Sequence, residues 1–361
     1  MLTSLPYVIT WRRGTVVAQG RQWPGAVELA VDVEGAAPSG RLRALAYSDL
    51  VGAPQPGDTV LLNVSALALG LGTGGYALVV AVPDRLPPDP EGPGHLVKAR
   101  YTPLQTVVLG ADEQDSPHHG ALADGEPLPA PGMPVVVADL HSSLPAVVAG
   151  LHAARPGTRI AYVMTDGGAL PLAFSRTVAE LADRLAGTVT VGQAYGGDVE
   201  AVTLHSGLLA AHHVLGAEVA VAVQGPGNLG TGTAWGFSGV ACGEAVNAVA
   251  AVGGRPVGVL RMSEADPRPR HRGVSHHSLT AYGRVALAPA DLVVPSSYAA
   301  LAARLPGLAR HRLVEVDDSG LHAVLVGCGL SLSTMGRGLD EDPVAFLAAA
   351  AAGRHVAALL D

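Results

Sequence analysis

The 361-residue chain carries 23 basic and 31 acidic residues, a formal charge of −8, with 48% hydrophobic and only 4% aromatic residues. That acidity excludes the broad basic surface by which non-specific nucleic-acid binders displace counterions, so no nucleic-acid partner is expected. The two cysteines, Cys242 and Cys328, have no metal-type spacing and form neither a disulfide framework nor a zinc knuckle.

The length suits two domains, with cores of Val, Leu and Ala rather than large rings. The first residues show no basic stretch leading into a sustained apolar run, and no later run is long enough for a membrane span. The expectation is a cytoplasmic protein without a membrane partner. Lys98 is the only lysine among the 23 basic residues. It marks either a position that needs a compact ammonium rather than a planar guanidinium, and so a candidate ligand-binding residue, or chance in an arginine-biased composition.

The first third reads as β structure. Val27 to Val33 alternates apolar and polar residues, as does a strand with one buried face. Similar runs at Arg41 to Tyr47, Asp58 to Val64 and Tyr76 to Val82 are separated by turns such as Pro54-Gln55-Pro56-Gly57, and His95 to Leu109 adds one or two more strands. The spacing predicts a small all-β domain, barrel- or sandwich-like, over residues 1–109. Residues 110–131 mix acids, prolines, glycines and the pair His118-His119 without periodicity and read as a linker or exposed loop.

From residue 132 to 361 strands and helices alternate. Val135 to Ala138, Arg159 to Met164, Thr188 to Val191, Glu218 to Val223 and Pro256 to Leu260 are continuous apolar runs, the mark of parallel strands covered on both faces. Ser175 to Leu185 and Gly239 to Val252 carry helical patterns, and Asp342-Pro343 supplies an N-cap and first-turn proline to a closing alanine-rich helix. The expectation is an α/β domain with a mostly parallel sheet. The apolar last helix packs either inside its domain or across a homodimer.

In such a sheet ligands bind beyond the carboxyl ends of the strands. Those ends deliver Asp139-Leu140-His141, Thr165-Asp166-Gly167, Gln224-Gly225-Pro226-Gly227 and Arg261-Met262-Ser263-Glu264 to one edge. The run Gly225 to Gly230 satisfies GxGxxG but continues into more glycines instead of a helix, and no acid follows at the dinucleotide offset of about 20 residues. A general anion-binding loop, with Gly225, Gly227, Gly230 and Thr231 around a phosphate or carboxylate, fits it better.

The densest polar run is Asp266 to His277. In one reading Arg270 and Arg272 clamp an anion while His271 or His276 moves a proton and Asp166 orients it. In another, Asp139, His141 and His277 hold a divalent metal, Zn, Mn or Fe. In the third it is a solvated loop whose arginines pair with Asp266 and Glu264. Adjacent histidines usually point apart, so only one of His276 and His277 is expected to touch a ligand.

Together with Leu69 to Gly75, His95 to Gln105, Met164 to Gly168, Gly225 to Gly239 and Met335 to Pro343, this run resembles a bacterial family catalogued as domain of unknown function 3866, along essentially the whole chain. The resemblance implies a cytosolic bacterial protein and carries no substrate or catalytic role. The residues themselves point to a hydrolase or transferase acting on a small anionic metabolite, phosphate- or nucleotide-like. The rival is a non-catalytic metabolite sensor or assembly protein that uses the same pocket.

Overall fold

The computed structural model describes residues 9–129, 132–302, 305 and 307–361. The last two positions of the expected linker, 130 and 131, lie outside the described residues. The chain divides into two compact units, residues 1–92 with 99–106, and residues 93–98 with 107–361.

The first unit is a closed five-stranded barrel in the order β1-β2-β3-β5-β4, made of β1 (Trp11–Trp23), β2 (Ala26–Val33), β3 (Gly40–Tyr47), β4 (Thr59–Asn63) and β5 (Ala77–Ala81). The alternation read in the sequence sends Val27, Leu29, Val31 and Val33 inward, where they meet Ala44, Ala46, Val60, Leu62, Ala77 and Val79. β1 pairs with both β2 and β4 and so closes the barrel. Its own sequence gives little sign of this, because most of its 13 residues are exposed or half-buried. Gly14 is the hinge of that closure: a Cβ there would stand 2.5 Å from Val31 Cγ1.

The second unit is built on an eight-stranded parallel sheet. Its strands are β6 (Pro134–Val137), β7 (Ile160–Thr165), β8 (Gly187–Thr190), β9 (Val199–Glu200), β10 (Val219–Gln224), β11 (Arg255–Val259), β12 (Asp291–Pro295) and β13 (Arg312–Val316). They lie in the order β9-β8-β7-β10-β6-β11-β12-β13. Successive residues of β6 serve opposite faces, Val135 and Val137 one core, Val136 and Ala138 the other. One core takes α1 (Leu144–Ala154), α5 (Leu321–Gly327) and the closing helix α6 (Pro343–Ala358); the other takes α2 (Leu204–His213) and α3 (Ala241–Ala251).

The five continuous apolar runs are the five central parallel strands. β9, β12 and β13 have no counterpart in that reading: β9 has two residues, β12 has only Leu292-Val293-Val294 between Asp291 and Pro295, and β13 is interrupted by Glu315. The region expected as a linker is largely part of the second unit. Ala111, Leu122 and Leu128 enter its core, and Leu128 N donates to Val252 O.

The closing helix finds its place inside the unit. α1 and α6 touch backbone to backbone, since a Cβ on Gly150 would stand 2.1 Å from Ala350 O and one on Gly353 2.1 Å from Val147 O. The apolar surface that suggested a dimer is therefore covered by α1 and the sheet. Asp342 does sit at the N-cap position but makes no side-chain cap hydrogen bond. Its carboxylate instead accepts from Ser263 Oγ at 2.6 Å, Glu264 N at 3.1 Å and Arg337 Nε at 3.0 Å, tying the start of α6 to the segment after β11.

Candidate functional site

The order of the sheet sets the place of the site. From β6 the chain moves to β7, β8 and β9 on one side, then returns to β10 and crosses β6 to β11. The crossover helices α1 and α3 thus lie on opposite faces, which opens a crevice beyond the carboxyl ends of β6, β10 and β11. Asp139 and Arg261 follow the ends of β6 and β11, and Gln224 is the last residue of β10. A small cleft there is lined by Asp139, Ser142, Arg261, Met262, Thr334 and Phe346, among others.

After β11 the chain runs through a two-stranded pairing, Met262–Ser263 against Gly273–Val274, and enters the short helix α4 (His276–Thr280). Asp266 holds the loop between these strands in shape. It is 1% exposed and accepts from Arg268 N, Nε and Nη2 and from Arg337 Nη2, so its carboxyl is held well below the usual range by Arg268 above all. Arg272 Nε donates to Asp266 O. Of the two arginines expected to clamp an anion, Arg272 thus also braces the loop through its Nε. Arg270 is exposed, and among the described residues it has no carboxylate partner.

The same fold gathers three imidazoles. Ring centroids of His271 and His276 are 4.9 Å apart, of His271 and His277 4.9 Å, and of His276 and His277 4.5 Å. Both residues of the adjacent pair occupy the first turn of α4, and His271 comes to meet them. Ser275 caps that turn, its Oγ accepting from His277 N at 3.2 Å and lying 2.7 Å from His271 Nδ1. Phe237 stacks on His277 with centroids 3.6 Å apart. His271 is pushed down to about 3 by burial and by the guanidiniums of Arg261 and Arg268. His276 is lowered by burial, His277, Arg270 and Arg261. Both imidazoles are therefore neutral at neutral pH, and Arg270 lies near enough to His276 to act on it.

Among the described residues the buried side-chain atoms without a hydrogen-bond partner are Asp139 Oδ2, Gln224 Oε1 and His276 Nε2. Each stands at or beside this crevice. Asp139 Oδ2 is 3.5 Å from Arg261 Nη1 and 3.6 Å from His277 Nδ1, while Gln224 Nε2 donates to Asp139 O at 2.9 Å. A buried polar atom left unpaired costs about 1–3 kcal/mol. Three such atoms lie together beyond these strand ends.

The glycine run forms a finger rather than an open cradle. Gly230 bridges Phe237, Thr231 N donates to Gly236 O, and Thr231 Oγ1 lies 3.0 Å from Thr233 Oγ1, so these groups satisfy one another. Gly225 is buried and serves close packing, since a Cβ there would meet Ala169 O at 2.5 Å; beside Gly227 the space is open. The finger does meet the histidine loop, for a Cβ on Gly232 would lie 3.3 Å from Arg270 Nη2.

Three other candidates stand apart. His141 is held between Tyr162 Oη at 3.2 Å and Ser175 Oγ at 2.7 Å, and burial pushes it down to about 4; with both ring nitrogens engaged it offers no lone pair to a metal. Asp166 accepts from Gln193 N at 2.9 Å and touches none of the three histidines. Lys98 is fully buried in the second unit, its Nζ donating to Ala194 O and Ala201 O at 2.9 Å and lying 3.3 Å from Glu200 Oε2. Burial lowers the Lys98 pKa and raises that of Glu200, while each partner opposes the other's shift. This lysine has no face open to a ligand. Sequence reasoning passed over Ser275 and Phe237, whose roles are contacts without a local pattern. Gln224 and Arg261 were marked only as strand-end residues.

The family model for a protein of unknown function, DUF3866, matches residues 43–353, from β3 of the barrel through most of α6. The chain belongs to this family. No curated protein matches it. In this DUF3866 protein no helix among the described residues is long and apolar enough to cross a membrane.

Proposed function

We propose that the crevice beyond β6, β10 and β11 binds a small anionic metabolite, phosphate- or nucleotide-like, and acts on it as a hydrolase or transferase. The observation that carries this reading is Arg270: a guanidinium without a carboxylate partner among the described residues, set against the Gly232 backbone and facing His276. A planar, permanently charged fork in that position suits a phosphate or carboxylate. Arg261, paired with Asp139, and Arg270 both bring their charge to bear on His276. In this reading Arg270 holds the anion and the histidine cluster supplies the reacting group. Trp235 on the finger, 56% exposed, offers a face on which a nucleobase would stack.

A thermal-shift series with inorganic phosphate, sugar phosphates and nucleotides tests the reading, because any ligand of the native state raises Tm. The expected outcome is a rise with at least one of these classes that Arg270→Ala abolishes. A nucleotide is the ligand class if Trp235→Ala weakens its effect and leaves that of inorganic phosphate alone. No rise with any of them, or a rise that Arg270→Ala leaves intact, contradicts the proposal.

A further inference from the structure

We infer that His271, His276 and His277 together bind one divalent metal ion of borderline character, zinc or cobalt, with a fourth position open to water or substrate. The inference rests on reading this crevice as a ligand site, and gives that reading its reactive centre.

Convergence is the first ground. One candidate ligand atom from each of the three histidines lies within 4.8 Å of the other two. Three imidazoles sharing a tetrahedral zinc at about 2.0–2.1 Å put their ring centroids roughly 5 Å apart. The observed centroids, 4.5 to 4.9 Å apart, already form that triangle. His276 Nε2 is buried and has no partner.

The outer contacts are the second ground. A ligating imidazole commonly passes its other N–H to a hydroxyl, carbonyl or carboxylate, which fixes the ring. His271 Nδ1 has Ser275 Oγ at 2.7 Å. His277 Nδ1 has Asp139 Oδ2 at 3.6 Å, an acceptor that is buried and otherwise without a hydrogen bond. In this structure Arg261 Nη1 donates to His277 Nδ1 at 3.0 Å; ligation through His277 Nε2 moves the ring proton to Nδ1, turns it towards Asp139 Oδ2, and leaves Arg261 Nη1 with the Asp139 carboxylate as its acceptor. Asp139 is then a positioning residue behind His277. The stack of Phe237 holds the same ring from the side.

The chemistry of the donors selects the ion. Three nitrogens and no thiolate suit zinc or cobalt better than magnesium or calcium, which prefer oxygen. Three protein ligands with an open fourth position are the pattern of catalytic rather than structural zinc. A comparison within the chain supports the distinction. His212 and His213 are also adjacent on a helix, but each has a backbone carbonyl at a ring nitrogen, Ala217 O at 3.1 Å and Glu126 O at 3.3 Å. That pair is satisfied by the fold.

Titrating the metal-stripped full-length protein with Co2+ tests the inference by visible absorption, which reports four-coordinate geometry directly. The expected result is one Co2+ per chain with intense d–d bands. Affinity should fall by about 100-fold or more in His276→Ala and by about 10- to 100-fold in Asp139→Asn, and should not change in His213→Ala. His276→Gln is the second variant should the alanine form fail to melt cooperatively. Absence of stoichiometric Co2+ binding, or equal binding in the His276 variants, overturns the inference. Inorganic phosphate separates this from the anion-binding reading: an Arg270-dependent thermal shift in protein that takes up no Co2+ leaves the anion site standing and the metal site refuted. Histidine-dependent Co2+ binding without any anion response has the opposite meaning.

Discussion

Two polar clusters of the second unit are made from similar groups and differ in one respect. Around Lys98 each buried group has an answer: carbonyls of Ala194 and Ala201 and the Glu200 carboxylate surround the ammonium, and Glu200 in turn accepts from Thr190 Oγ1 and Gly196 N. Around the three histidines Asp139 Oδ2, Gln224 Oε1 and His276 Nε2 are unanswered. A closed cluster fixes the ends of β8 and β9 in place. In the proposed reading the open one takes its complement from a ligand. Burial of charge alone does not distinguish a site from a brace; the satisfaction of each atom does.

The largest expected effect lies in the closed cluster. Lys98→Ala leaves the Glu200 carboxylate buried without its cation and should destabilise the protein by about 3–5 kcal/mol in urea unfolding, with the phosphate response preserved in the folded fraction. If that variant lost phosphate binding without losing stability, the two clusters would have been assigned the wrong way round. Next comes Arg270→Ala, expected to weaken anion binding by about 1.5–3 kcal/mol, measured calorimetrically, while stability stays within roughly 0.5 kcal/mol.

A pH titration sharpens the contrast at His141. Its folded-state pKa, about 4, lies below the ordinary 6.5, so the unfolded chain binds the extra proton between those values. The His141 contribution is therefore fully present above pH 6.5 and is lost as pH falls towards 4. His141→Gln should flatten that part of the stability profile; an unchanged slope would show that its ring is not held neutral. The smallest effect is expected from Asp139→Asn in metal-free protein, about 1 kcal/mol, since Oδ2 accepts no hydrogen bond and only its 3.5 Å ion pair with Arg261 is lost. A large loss there would place Asp139 in a brace like that of Glu200.

Periodicity made much of the fold legible. The barrel strands with one buried face and the central parallel strands stood out because their side chains alternate or run apolar without a break. β1 did not, since a strand that closes a barrel through its backbone needs few buried side chains. β12 and β13 lie towards the edge of the sheet, where short or mixed runs suffice. At the candidate site the strand-end rule singled out Asp139 and the Arg270 to His277 run, because topology alone sends those residues to one edge. Lys98 shows the limit of residue-type reasoning: the compact ammonium is needed, but by the carbonyls of Thr190, Ala194 and Ala201 and a carboxylate of the fold. The grouping of His271 with His276 and His277 depends on the pairing of Met262–Ser263 with Gly273–Val274, a contact that no local pattern announces.

Imidazole 15N spectra of the full-length protein, followed while Zn2+ and then inorganic phosphate are added, test the open-versus-closed distinction most directly. The account predicts that resonances of His271, His276 and His277 move with Zn2+, that His276 moves again with phosphate, and that His141 and His212 stay still. Equal movement of all the histidines, or none at the cluster, would contradict it.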